Sequence, residues 1–261
     1  MFKHSISSVK PAFIIIILDQ SSRMDEPLNE DLTKAEYQCK LVNEFVNDLI
    51  FSNSAGDKIK DRFYITIIGH NNNQANEIRS GYLSSFADSP LHIQKVKKRV
   101  SDGIGGLVEI EQEFSLYIEP FSSREENQLD AFKLSKEFAS AWFDKRKYCS
   151  TLIVNIGGGF SSCWEETTKI VNDIKKIGET ADSPFIFNLQ LDANINGLLF
   201  PDLEGIYQES FTSQLYFEWS SYVSNDIIES GLRNGLRILK CSKLYSNHKS
   251  NYILNLINFG S

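Results

Sequence analysis

Apolar positions along this chain fall into two kinds of pattern, unbroken runs and one-sided stripes. The run from Phe13 to Leu18 is continuously apolar and rich in isoleucine, as expected of a strand covered on both faces. Phe63 to Gly69 and Leu152 to Ile156 repeat that character, and Phe185 to Leu191 reads as a fourth strand. Stripes at helical spacing lie between them. Thr33 to Phe51 places Ala35, Leu41, Val42, Phe45, Val46 and Leu49 on one side of a helix, with Thr33 as its cap. Leu129 to Phe143 is a second amphipathic helix, and Trp164 to Ile177 a third, closed by Gly178. Leu215 to Trp219 predicts a short strand, Ile227 to Leu239 a long helix, and Tyr252 to Phe259 a terminal edge strand. The pattern loosens between the second strand and Tyr117. There Leu91 to Val100 predicts a basic helix and Asp102 to Gly106 a turn. Glu109, Glu111 and Glu113 then alternate as in a charged edge segment.

Strands that alternate with helices predict an α/β fold: a doubly wound, mostly parallel sheet with helices on both faces. No repeat, low-complexity segment or linker interrupts it, so one domain over 1–261 is expected, with an irregular insertion at about 71–117. Right-handed crossovers in such a sheet gather the loops after the strands' carboxyl ends at one edge. Any site is expected there.

Composition then removes several functions. A net charge of −7 argues against a duplex nucleic-acid binder. The local cluster Lys95, Lys97, Lys98 and Arg99 reads as a solvated helix face. Cys39, Cys149, Cys163 and Cys241 show no CxxC spacing, and His4, His70, His92 and His248 form no HExxH, so no zinc site is expected. Unpatterned cysteines suit a reducing cytoplasm. The apolar run ending at Leu18 is too short to span a bilayer and leads into Asp19 rather than a cleavage site, so no membrane association is expected.

The first strand ends in Leu18-Asp19-Gln20-Ser21-Ser22-Arg23-Met24. This resembles the D-x-S-x-S signature that opens the metal-ion-dependent adhesion site of von Willebrand factor A domains. The likeness extends over nearly the whole chain. Lys97 to Glu109 is similar to a segment of a soluble bacterial subgroup of that family. Tyr117-Ile118-Glu119-Pro120 resembles its W-x-E-P stretch, Ile153 to Ile156 its INITDG strand, and Leu254 to Gly260 its closing FLDIG strand. The resemblance implies a metal held by hard oxygen ligands, with a partner protein completing the shell.

Against that pattern the departures carry the reading. Asp19 and Ser21 match the first two ligands. Arg23 stands at the second serine position, Glu126 at the threonine position and Gly158 at the second aspartate position. Three of five ligands are lost and one replacement is a cation, which would repel a divalent ion. Arg23 is expected to occupy the metal's place between Asp19 and Glu126, since its planar fork serves more than one carboxylate. No metal and no cofactor are expected. The implied function is a non-catalytic interaction module, a scaffold or adaptor in a bacterial multiprotein system such as signalling or defence. Its face of Asp19, Ser21, Arg23, Glu126 and Gly158 would meet another protein.

Two alternatives stay open at this point. A nucleotide- or phosphate-binding enzyme would use the Gly157-Gly158-Gly159 run, although the run lacks the spacing of a phosphate loop, and Glu165 and Glu166 follow it. Magnesium-dependent binding would need Asp19, Ser21 and Glu126 to suffice with Arg23 swung away. Ser21, Ser22 and Ser161 lack the surroundings of a nucleophile, and His70 reads as an ordinary polar residue at a strand end.

Overall fold

The computed structural model describes residues 6–71, 74–101, 106–123, 125–146, 150–159, 162–178, 183–192, 197–233 and 235–247. Of 96–101, 107, 110 and 112 it describes the backbone. The chain opens with β1 (Ala12–Asp19), α1 (Lys34–Ser52), a small hairpin of β2 (Ser54–Ala55) and β3 (Lys58–Ile59), and then β4 (Phe63–Asn71) and β5 (Gln74–Tyr82). Next come α2 (Leu83–Asp88), β6 (His92–Ser101), β7 (Leu107–Leu116), α3 (Gln128–Lys145), β8 (Thr151–Gly157) and α4 (Trp164–Ile174). The rest is β9 (Phe185–Gln190), α5 (Leu203–Ile206), α6 (Phe211–Trp219), α7 (Asn225–Arg233) and β10 (Tyr245–Ser246).

Six strands form the central sheet in the order β10-β9-β8-β1-β4-β5. All neighbours are parallel except β4 and β5. Numbered along the chain within the sheet, this is the doubly wound order 3-2-1-4-5-6. The fold is therefore mixed α/β, as the strand–helix alternation predicts. β1 lies centrally between β4 and β8, and every one of its residues is buried. Its side chains alternate between two cores. Ile14, Ile16 and Leu18 pack with α1 residues such as Leu41, Val42 and Phe45, while Phe13, Ile15 and Ile17 pack with Phe132 of α3, Val171 of α4 and Trp219 of α6. An apolar run without polar interruption is what two covered faces demand.

Helix α1 begins where Thr33 predicts. The Thr33 hydroxyl accepts from Glu36 N at 3.2 Å and the Glu36 carboxylate accepts from Thr33 N at 2.8 Å, a reciprocal cap that satisfies two orphan amides. Helix α4 stops at Ile174 with Lys175 as its C-cap, short of the expected Ile177, and Gly178 follows three residues beyond the cap at φ +77, a backbone that glycine adopts without strain.

Four further local expectations need correction. The segment Leu91 to Val100 is no basic helix: His92–Ser101 is strand β6, paired antiparallel with β7. The register sets Lys95 opposite Glu113, Lys97 opposite Glu111 and Arg99 opposite Glu109, so the ladder places basic positions across from acidic ones, a pattern compatible with a paired strand. The described part of the insertion at 71–117 is accordingly regular, with β5, α2 and a hairpin of two ten-residue strands. Asn43 and Asn47 of α1 hold the base of that hairpin. Asn43 Oδ1 accepts from Tyr117 N at 2.7 Å, and Asn47 Nδ2 donates to Ser115 O at 2.7 Å.

Leu215 to Trp219 is helix rather than strand. Ser210 caps it through Ser213 N, and Tyr216 stacks on Trp219 with centroids 5.6 Å apart. Its aromatic richness mimics strand composition, but three-residue spacing brings those two rings together only on a helix. The last helix stops at Arg233 rather than Leu239, ahead of Gly235 at φ +75. The expected edge strand Tyr252 to Phe259 lies outside the described residues. Among the described residues no helix is long and apolar enough to cross a membrane.

Candidate functional site

The strand order reverses between β1 and β8, so the loops leaving their carboxyl ends set out towards opposite faces of the sheet, the edge where sites of doubly wound folds lie. A third loop, running from Tyr117 to Asn127, reaches the same edge before α3. Asp19 is the last residue of β1 and only 4 % exposed. Its carboxylate joins the first two loops: Oδ1 accepts from Ser21 N at 2.9 Å and Oδ2 from Gly158 N at 3.1 Å. The Asp19 carbonyl also accepts from Gln38 Nε2 of α1 at 3.2 Å.

The third loop is tied to both others. Ser123 N donates to Gln20 O at 2.6 Å, and the Ser122 hydroxyl donates to the Asp25 carboxylate. Glu126 Oε1 accepts from Ser162 N at 3.0 Å, linking this loop to the one after β8. His70, register partner of Asp19 on β4, is buried and accepts from Asn127 N through Nδ1 at 3.3 Å. Its Nε2 therefore carries the ring hydrogen, and burial holds its pKa below the usual histidine value despite the nearby Asp19 charge. Three loops are thus closed on one another by hydrogen bonds among their own residues.

Arg23 lies on a 3-10 turn, Ser22–Asp25, whose Met24 is fully buried. Its side chain lies across Gly159: a Cβ added there would overlap Arg23 Nη1 and stand 3.1 Å from Cζ. A Cβ at Gly158 would meet Met24 Sδ at 3.1 Å and Lys34 Cδ at 3.2 Å. The space above the glycine run is thus filled by side chains. Lys34 is itself buried and pairs with Glu26 Oε2 at 2.6 Å. Burial raises the Glu126 carboxyl to about 7; the Asp19 charge adds to this, while the Ser162 amide and Arg23 oppose it. The guanidinium is thus within electrostatic reach of Glu126.

Asp19, Ser21, Arg23, Glu126 and Gly158 belong to these same three loops, which is where sequence reasoning puts them. Sequence reasoning missed Gln38, Gln128 and Tyr216, and passed over His70. Gln128 Nε2 donates to the Tyr216 hydroxyl at 2.9 Å, which donates to Gly159 O at 3.0 Å. Tyr216 falls in a segment read as strand, and no local motif marks Gln38 or Gln128. Only the strand-end position of His70 signals its role.

The resemblance implies a divalent metal, and the residues do not fit one. Both Asp19 oxygens already accept backbone amides, position 158 supplies no ligand, and a guanidinium lies alongside. Ser21 Oγ is buried with no hydrogen-bond partner, as a retained ligand position would be, but Glu126 is engaged by Ser162. Among the described residues no three histidine, cysteine or carboxylate side chains are grouped to hold an ion.

No protein-family model matches the chain. No curated protein matches it either. Solved structures that overlap with it include the following two. The manganese-loaded TRAP protein of Plasmodium vivax aligns at 11 % identity and a TM-score of 0.36, over 74 % of this chain and 61 % of its own. The PilB minor pilin from Streptococcus sanguinis aligns at 8 % identity and a TM-score of 0.48, over 96 % of this chain and 60 % of its own. The chain thus spans about three-fifths of either protein. Overlap at this level leaves the architecture resting on strand order and register.

Proposed function

We propose that this chain is a non-catalytic, von Willebrand factor A-like interaction module whose carboxyl-edge loops bind another protein without a bridging metal. The observation that carries this reading is the double use of Asp19. The carboxylate that would hold a metal instead fastens the loops after β1 and β8 to each other. Such a face is preorganised for docking, because its loops need no ion to hold their positions. Arg23 and Glu126 are among its charged groups, with Phe121 exposed nearby. The setting we propose is a bacterial, cytoplasmic multiprotein system such as signalling or defence.

The competing reading, a phosphate-binding enzyme on Gly157–Gly159, is weakened by the side chains of Arg23, Met24 and Lys34 over that run. The Gly158 amide a phosphate would need also serves Asp19. Affinity purification of wild type, Arg23→Glu and Glu126→Lys chains from the native cell tests the proposal. A protein retained by wild type and lost by both variants is expected. Identical recovery by all three, or nucleotide turnover by the wild type, would overturn it.

A further inference from the structure

Beside the three loops lies an apolar surface of a different make. Trp164 opens α4 five residues after Gly159, and its ring meets Phe211 of α6 edge to face, with centroids 5.5 Å apart. Phe211 is 53 % exposed, Tyr207 81 % and Leu203 71 %. Leu203 and Tyr207 are four residues apart on α5 and its cap, hence on one side of that turn. The backbone beneath is held firmly. Asp202 caps α5 through Gly205 N at 3.0 Å, and Gln214 Nε2 donates to Tyr207 O at 3.3 Å and Glu209 O at 2.9 Å. The rings are therefore presented on a fixed support.

Charge says what such a shelf receives. From 177 to 232 the sequence contains nine aspartates and glutamates and no lysine, arginine or histidine, more than the whole chain's excess of −7. Asp202, Glu204 and Glu209 flank the exposed rings, and Glu165 and Glu166 follow Trp164 in the first turn of α4. We infer that the shelf of Trp164, Leu203, Tyr207 and Phe211 receives a basic linear segment of a partner protein, with an arginine or lysine beside an apolar side chain. Aromatic faces attract cations, the carboxylates add to that field, and Tyr and Trp are the residues that most often anchor interfaces. A second copy of this chain would set the same acidic segment against itself, and nucleic acid would be repelled. The inference rests on the partner-binding reading and adds to it the chemistry of the partner and a place for it.

A random peptide library selected against the full chain tests it, followed by affinity measurement with the best synthetic peptide. Selected peptides should be enriched in arginine or lysine next to aromatic or aliphatic residues and should weaken as ionic strength rises. Tyr207→Ala with Phe211→Ala, and separately Glu204→Lys with Glu209→Lys, should each reduce affinity by roughly tenfold or more. Lys95→Ala, in the β6–β7 hairpin, should leave it unchanged. These shelf side chains are exposed or only partly buried, and matching thermal unfolding curves will separate lost binding from lost folding. Acidic or uncharged winners, no winners, or winners indifferent to both shelf variants would overturn the inference. Winners lost only with Arg23→Ala would overturn it too, yet leave partner binding at the loops intact. Failure of the purification test with shelf binding preserved would do the reverse.

Discussion

Charges of both signs meet in two regions of this molecule, the loops around Asp19 and the hairpin of β6 and β7, and they are used differently. In the loops a buried carboxylate accepts backbone amides from two segments, so one side chain joins parts of the chain far apart in sequence. In the hairpin Lys95, on a ladder that sets basic positions opposite acidic ones, approaches Glu111 at 3.7 Å with both side chains well exposed. The difference lies in solvation rather than in the kinds of residue. Water screens the ladder, leaving it worth little per pair, whereas a carboxylate removed from water must be matched by donors and is costly to disturb.

That comparison is broken most directly at Asp19. Asp19→Ala leaves the Ser21 and Gly158 amides without their acceptor and should destabilise by about 3 kcal/mol, read by urea denaturation. A loss below about 1 kcal/mol would mean that water replaces the carboxylate and that the loops are not closed through it. Next comes the Arg23 and Glu126 pair. Arg23 is exposed and Glu126 half-buried, so a double-mutant cycle should give a coupling of about 0.5–1 kcal/mol rather than that of a buried pair. Zero coupling would place the guanidinium's main partner elsewhere.

Titration sharpens the same contrast. Glu126 in the folded chain is raised from 4.5 to about 7, so the folded state holds this proton more tightly than the unfolded one. Its contribution is thus most favourable below about 4.5 and is lost as pH rises through about 7. The stability difference between wild type and Glu126→Gln, followed by denaturation across that range, should fall with pH. Removing Arg23, whose charge opposes the shift, should move that window upward. A flat difference would mean that Glu126 ionises as if exposed. The smallest effect is expected in the hairpin, where Lys95→Ala should change stability by less than about 0.5 kcal/mol and vary weakly with salt. A loss comparable to that of Asp19→Ala would erase the distinction between the two regions.

Legibility followed burial. β1, β4 and β8 are buried on both faces, so their sequences contain nothing but apolar or small uncharged side chains over most of their length and could be read without knowledge of neighbours. β6 could not, because Lys95 to Arg99 has neither a strict alternation nor a strict helical stripe. What identifies it is the antiparallel register with β7, which sets Glu109, Glu111 and Glu113 opposite. The same holds for α6, where the pairing of Tyr216 with Trp219 requires the helix to exist first. At the site, Asp19, Ser21, Arg23, Glu126 and Gly158 were legible through order and spacing. Gln38, Gln128 and Tyr216 were not, since each acts across a long separation in sequence on a backbone atom or side chain no motif points to.

The central place of β1 has a consequence for how the chain is made. Its second neighbour, β8, enters about 140 residues later than β1 itself. At roughly 5–20 residues per second, the apolar run Phe13 to Leu18 waits about 7–28 s during synthesis before that side can pair. β4 arrives much sooner and covers one edge, leaving the other edge and the face later packed by α3 and α4 uncovered in the nascent chain. Chains arrested before Ser150 should bind a chaperone that recognises extended apolar segments, and chains extended through α4 should release it. Equal binding at both lengths would show that β1 is sheltered by contacts other than those of the finished sheet.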